Sequence, residues 1–193
     1  QNVRTQGEVR GDLFAQRAAN SVGGRHIVQL MERFGTSTVE EYLEEMLNYS
    51  ERRMRAALAM IPEGKYSFED VIEGDGITDR HYVIRVSLEA RGDSLHIDFS
   101  GTDEASRGPL NCRWPSVAAC VYYVLKAVLD PDLPANAGAY RPIEIVVRDG
   151  SILSAIYPNA VCNANIITTQ RIVDTLLAAL SQAVPDVVQA ASS

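Results

Sequence analysis

The sequence predicts an α+β fold: N-terminal helices, then an antiparallel β-meander or hairpin packed with two further helices. Three observations carry this. Apolar residues recur at helical spacing through residues 1–61, the period switches to two between Lys65 and Phe99, and helical spacing returns from Ser116 and again from Ala164. Strands that are grouped between helices, rather than alternating with them, argue against a doubly wound sheet.

Each element has its own signal. Asp12 to Asn20 is rich in Ala and Gln, and Ile27, Val28, Leu30, Met31 and Phe34 follow at helical spacing. Gly23-Gly24 between them predicts a break or a kink. Gly35 stands where a C′ residue would close the helix. Ser37 and Glu40 form a capping box for a second helix running to about Ile61. Its stripe is Tyr42, Leu43, Met46, Leu47, Met54 and Leu58, and its late Arg52, Arg53 and Arg55 suit the helix dipole. Pro62-Glu63-Gly64 stops it.

Alternation then marks strands at Lys65–Val71, Tyr82–Leu88 and Leu95–Phe99. Arg91-Gly92-Asp93-Ser94 reads as the turn of a hairpin, not as an adhesion motif. Ser116–Leu129 reads as a buried helix, Pro134–Tyr140 as a loop, and Pro142–Val147 as a strand ending in an Asp149-Gly150 turn. A last helix spans Ala164–Val184, with Thr168, Thr169 or Asn165 as its cap and Pro185 as its stop. The expected organisation is a helical segment over 1–61 and an α+β segment over 62–193, both parts of one larger domain. The Gln1-Asn2-Val3 start and Ser192-Ser193 end predict an internal fragment of a longer protein.

Composition narrows the function. Hydrophobic residues make up 46% of 193, enough for a real core. Lys plus Arg is 18 against 25 Asp plus Glu, a formal charge of −7, with no basic run; nucleic acid and anionic membranes are poor partners for such a chain. The longest purely apolar stretch, Val117 to Leu125, falls short of the ~20 residues that a spanning helix needs. Cys112, Cys120 and Cys162 form no CxxC, which predicts neither disulfides nor a zinc cluster but a reducing cytoplasm. Cys120 and Cys162 sit in apolar settings and read as packing cysteines.

The standard catalytic signatures are missing. There is no P-loop, no GxGxxG after a strand, and no GxSxG elbow. His26, His81 and His96 lack HxxH spacing, so no metal ligand is assigned, and His96 should face solvent from its strand. Three polar segments stand out: Ser100-Gly101-Thr102-Asp103 with Gly108-Pro109-Leu110-Asn111; Asn136 to Pro142; and Asn163 to Asp174. Glycine loops after strands commonly carry sites. Arg171 and Asp174, three apart, are expected to pair on one helix face.

The order of these motifs adds a resemblance. G-D-L-F-A-Q-R-A-A-N at 11–20, Y-S-E-R-R-M-R-A-A-L at 49–58, D-F-S-G-T-D at 98–103, G-P-L-N-C at 108–112, N-A-G-A-Y-R-P-I at 136–143 and T-T-Q-R-I-V-D at 168–174 together resemble the hydantoinase B/oxoprolinase family. That resemblance implies the B-type component of an ATP-dependent cyclic amidohydrolase, acting on hydantoin, N-methylhydantoin or 5-oxoproline. It implies an A-type, actin-like ATPase partner in a hetero-oligomer. ATP and a divalent metal would be used by the full complex and neither bound by this fragment, which alone should be inactive. The family's metal-bearing segments lie upstream of Gln1. Two alternatives stand beside this reading: a component of a ketone (acetone or acetophenone) carboxylase, and a scaffold that docks the A-type partner.

A cyclic amide offers carbonyl oxygens and N–H groups. Asn111, Asn136, Asn165 and Gln170 can answer both, and Arg141 and Arg171 can hold a carboxylate or phosphate bidentately. Asp12, Asp98 and Asp174 are the carboxylates within matching motifs, candidates for a base or an orienting group.

Overall fold

The computed structural model describes residues 4–186. The chain divides into two compact units, residues 1–46 and 47–193. The division falls inside the second helix; the expected boundary after residue 61 marks instead where helix gives way to strand.

In the first unit, α1 runs unbroken over Gln6–Phe34 and none of its residues is buried. The predicted break at Gly23-Gly24 is therefore absent, because nothing packs near either glycine to bend the helix there. It ends at Gly35, whose N–H donates to the Met31 carbonyl. Helix α2 covers Thr36–Leu58. It begins one residue before Ser37, so Ser37 sits in the first turn and not at the cap that the capping-box reading gave it.

The second unit holds a four-stranded sheet in the order β1-β2-β3-β4, made of Gly64–Ile72, Tyr82–Arg91, Ser94–Asp98 and Ile143–Val146. The first three strands form the predicted antiparallel meander, with Tyr66 opposite Leu88 and Leu88 opposite Ile97. The fourth joins β3 in parallel, Ile97 opposite Ile145, so the sheet is mixed. Alternation on β2 puts Tyr82, Ile84, Val86, Leu88 and Ala90 into the core and leaves Val83, Arg85, Ser87 and Glu89 on the other face.

Helix α3 (Trp114–Leu129) and helix α4 (Thr169–Ser181) cover the buried face, α4 against β1 and β2 and α3 against α4. Val117, Val121, Val124 and Leu125 from α3 meet Ile172, Leu176 and Leu180 from α4 in one core, joined by Met54 and Leu58 from the end of α2. The last helix differs from the expected Ala164–Val184 in two ways. It opens with a π-helical turn over Ala164–Thr168, and α4 proper stops at Ser181.

Candidate functional site

The nine residues singled out by sequence fall in four places in the second unit and one in the first. Asp12 is the one in the first unit, exposed on α1.

Asn136 and Arg141 lie beside the end of α2. Asn136 caps a short 3₁₀ turn, Ala137–Tyr140, by accepting from the Gly138 N–H (3.0 Å), and its amide donates to the Ser50 hydroxyl (2.8 Å). Arg141 Nη1 donates to Asn48 Oδ1 (2.9 Å) and Glu51 Oε2 (3.1 Å). Glu51 also accepts from Arg55 (2.7 and 2.9 Å), and those two guanidinium groups, Arg55 first, hold its carboxyl below the ordinary range. A Cβ on Gly138 would stand 2.0 Å from the Leu47 carbonyl oxygen, so only glycine lets the turn approach the helix this closely. The motifs at 49–58 and 136–143 thus interlock with each other.

Asp98 ends β3 and accepts from the Ser100 N–H (2.7 Å). It lines a shallow depression of about 580 Å³ on the outer sheet face with Ser67, Ser87, Ser100 and Arg85. Arg85 there is already paired to Glu69 (2.9 Å) and Asp103 (3.2 Å). His96, expected to face solvent, is half-buried against Glu144 (2.8 Å).

Asn111 is fully buried. Its Oδ1 accepts from the Ser106 N–H (2.7 Å), and its Nδ2 donates to the carbonyls of Ser106, Gly108 and Ala160. No donor is left for a ligand. It ties the loop at 106–111 to the segment leading into α4.

Asn165 and Gln170 stand at the start of α4, both exposed. The π turn is held from below: the Asn163 N–H donates to the Pro109 carbonyl (2.9 Å), and the Thr168 hydroxyl to the Leu110 carbonyl. Thr168 therefore does not cap α4, and no side-chain cap forms at Asn163 or Thr168. Asn165 lies on this turn and Gln170 in the first turn of α4, both exposed, with exposed Ile166 and Ile167 between them in the chain. Tyr157 and Val161, which precede the turn in the chain, are exposed as well. Π-helical turns of this kind are frequent at functional sites.

Arg171 does not pair with Asp174. It reaches across to Asp70 on β1 (2.9 Å), which points its guanidinium towards the sheet, and Asp174 is left half-buried on α4. Cys162, read as a packing cysteine, is exposed instead; Cys112 and Cys120 are buried. Burial pushes the Cys112 thiol up to about 12 and that of Cys120 up to about 11.

Sequence reasoning missed Asp75. It is buried, 3% exposed, and its carboxylate accepts six hydrogen bonds, from the Ile77, Thr78 and Gly108 N–H groups and the Thr78, Tyr82 and Ser106 hydroxyls. The Thr78 N–H above all holds its pKa far below the carboxylate range, against the opposing effect of burial. The signal was present in Gly74-Asp75-Gly76-Ile77-Thr78, an Asx-turn pattern between two strands.

Among the described residues, no three His, Cys, Asp or Glu side chains are placed to share a metal ion. No helix among the described residues is long and apolar enough to cross a membrane.

The family described as hydantoinase B/oxoprolinase matches this chain over residues 1–193. A relative from Pseudomonas sp. (strain NS671), bearing the name of a D-/L-hydantoinase component, is 32% identical over 98% of this chain and 34% of its own length. The protein named 5-oxoprolinase 1 from Arabidopsis thaliana is 31% identical over 87% of this chain and 14% of its own. The crystal structure of ATP-dependent caprolactamase from Pseudomonas jessenii superposes with a TM-score of 0.84 at 28% identity, covering 97% of this chain and 32% of that one. A nucleotide-free acetone carboxylase structure shares the fold, with a TM-score of 0.69 at 15% identity, over 81% of this chain and 22% of that one. This chain thus spans about a third or less of each of these relatives.

Proposed function

Because the chain belongs to the hydantoinase B/oxoprolinase family, we propose that it is the central part of a B-type component of an ATP-dependent cyclic amidohydrolase, opening hydantoin- or 5-oxoproline-type rings with an A-type ATPase partner in the cytoplasm. The observation that carries this reading is the match of 87% to 98% of the chain to relatives named for hydantoinase, 5-oxoprolinase and caprolactamase activity. The chemistry agrees. An amide is resonance-stabilised, so opening a small lactam or imide against equilibrium calls for coupling to phosphoryl transfer. ATP and the divalent metal belong to the rest of the complex in this reading.

The face at the start of α4 is the part of this chain that suits the substrate. Asn165 and Gln170 each present a donor and an acceptor to a ring that has both. Ile166 and Ile167 supply apolar contact for its carbons. Asp174, four residues beyond Gln170 on α4, is the candidate carboxylate left for an orienting or base role here; Asp98 stands on the opposite face of the sheet.

The test uses the full-length protein with its ATPase partner, following ADP release with hydantoin, N-methylhydantoin, 5-oxoproline, or acetone plus bicarbonate. Substrate-stimulated ADP release with a ring-opened product is the expected result. Release only with ketone and bicarbonate would replace this reading by carboxylation. Alanine at Asn165 and Gln170 that abolished co-purification with the partner but spared turnover would make the face a docking surface instead.

A further inference from the structure

We propose that Asp75 is the positioning residue of the 157–170 face, which it fixes through Ser106 and Asn111. The proposal rests on the reading of that face given above for its functional consequence, though not for its structural content.

The links are continuous. Asp75 Oδ2 accepts from the Ser106 hydroxyl (2.8 Å) and the Gly108 N–H (3.0 Å). Ser106 is in turn gripped by Asn111 through both its N–H (2.7 Å) and its carbonyl (3.0 Å). The same Asn111 amide then donates to the Ala160 carbonyl (2.9 Å), and the adjoining Pro109 carbonyl takes the Asn163 N–H. The same Oδ2 accepts from the Tyr82 hydroxyl (2.9 Å), at the first residue of β2. The 106–108 end of the loop beneath the exposed segment is therefore tied to β2 through one buried anion, while its 112 end is tied by backbone bonds from Cys112 to Ile152, Ile152 to Asp103 and Asp103 to Val83. The fit at Gly108 is closed to any side chain: a Cβ there would lie 2.2 Å from the Asp75 carbonyl oxygen.

None of the six donors is a cationic side chain; the anion is held by N–H and O–H dipoles alone. A network of this kind works fully satisfied or not at all. Asn in place of Asp75 keeps the shape but turns one acceptor oxygen into an NH₂ group. Whichever way the amide is flipped, that group faces a backbone N–H, of Gly108 on one side or of Ile77 and Thr78 on the other, which cannot rotate away.

The experiment is hydrogen exchange and steady-state kinetics on the full-length protein with its partner, comparing wild type with Asp75→Asn. Exchange over 157–167 is expected to rise about tenfold or more while peptides of β2, β3 and α3 keep their protection. KM is expected to rise about fivefold with kcat within about twofold, the pattern of lost ground-state binding. Wild-type exchange over 157–167 in this variant would overturn the proposal. Raised exchange with unchanged KM would uphold the anchor and overturn the substrate reading of the face. Should Asp75→Asn fail to fold, Ser106→Ala removes one link and leaves the Asn111 bridge to Ala160, and the same exchange readout decides, with a smaller expected rise.

Discussion

Two polar stretches of the second unit, 136–141 and 163–171, use similar residue types to opposite ends. In the first, Asn136 and Arg141 find partners in Ser50, Asn48 and Glu51, and the side chains that looked suited to a ligand bind the chain to itself. In the second, Arg171 is claimed by Asp70, but Asn165 on the widened helical turn and Gln170 just after it are exposed. Amide and guanidinium groups mark a site when the fold leaves them unanswered, and a joint when it answers them. Residue type alone does not distinguish the two.

The contrast can be broken most sharply at Gly138. Gly138→Ala places a Cβ where the Leu47 carbonyl already sits. It should cost about 3 kcal/mol, lowering the thermal midpoint by roughly 10 °C in calorimetry. Acid should expose the next largest effect. Asp75 has a folded pKa far below its unfolded value, which is about 4, so the unfolded state binds the extra proton. Its contribution is complete above about pH 4 and is lost as pH falls below that towards the folded value. Urea midpoints measured from about pH 6 to about pH 3 should drop more steeply for wild type than for Asp75→Asn.

The pair Asn136→Ala and Asn165→Ala tests the comparison directly. The first should destabilise by about 1–2 kcal/mol through the lost cap and the Ser50 bond. The second should leave stability within about 0.5 kcal/mol and lower turnover of the cyclic amide. Equal stability losses would erase the distinction. Smallest of all, Arg171→Ala removes a partly exposed ion pair, with side chains 37% and 27% exposed, and should cost about 0.5 kcal/mol in denaturant titration.

The elements were legible where the periodicity was strong. Tyr82, Ile84, Val86 and Leu88 announce β2, Leu95 and Ile97 announce β3, and the α3 run of Val117 to Leu125 announces a buried helix. Local rules failed where tertiary packing or its absence decided. Gly23-Gly24 breaks nothing because a helix without bending contacts tolerates glycine at about 1 kcal/mol each. The π turn at Ala164–Thr168 has no local signature, since it follows from Thr168 and Asn163 being pulled onto the 109–110 carbonyls. The site residues came through as types but not as a cluster. Pairings such as Arg171 with Asp70 and Asn111 with Ala160 cross long stretches of chain, and spacing does not encode them. Asp75 escaped because a polar residue between glycines reads as solvated turn until its six donors are seen.

The three cysteines give the chain a chemical asymmetry of its own. Cys112 and Cys120 are shut away with thiols that ionise only near the alkaline end of the scale, while Cys162 stands in the open next to Asn163. A thiol-directed alkylating reagent at neutral pH should therefore label one residue of this region, and that label lands beside the proposed substrate face. The rate of modification becomes a footprint: whatever settles on residues 157–170, substrate or protein, should slow it, and the shielding can be followed by mass spectrometry without altering a single residue.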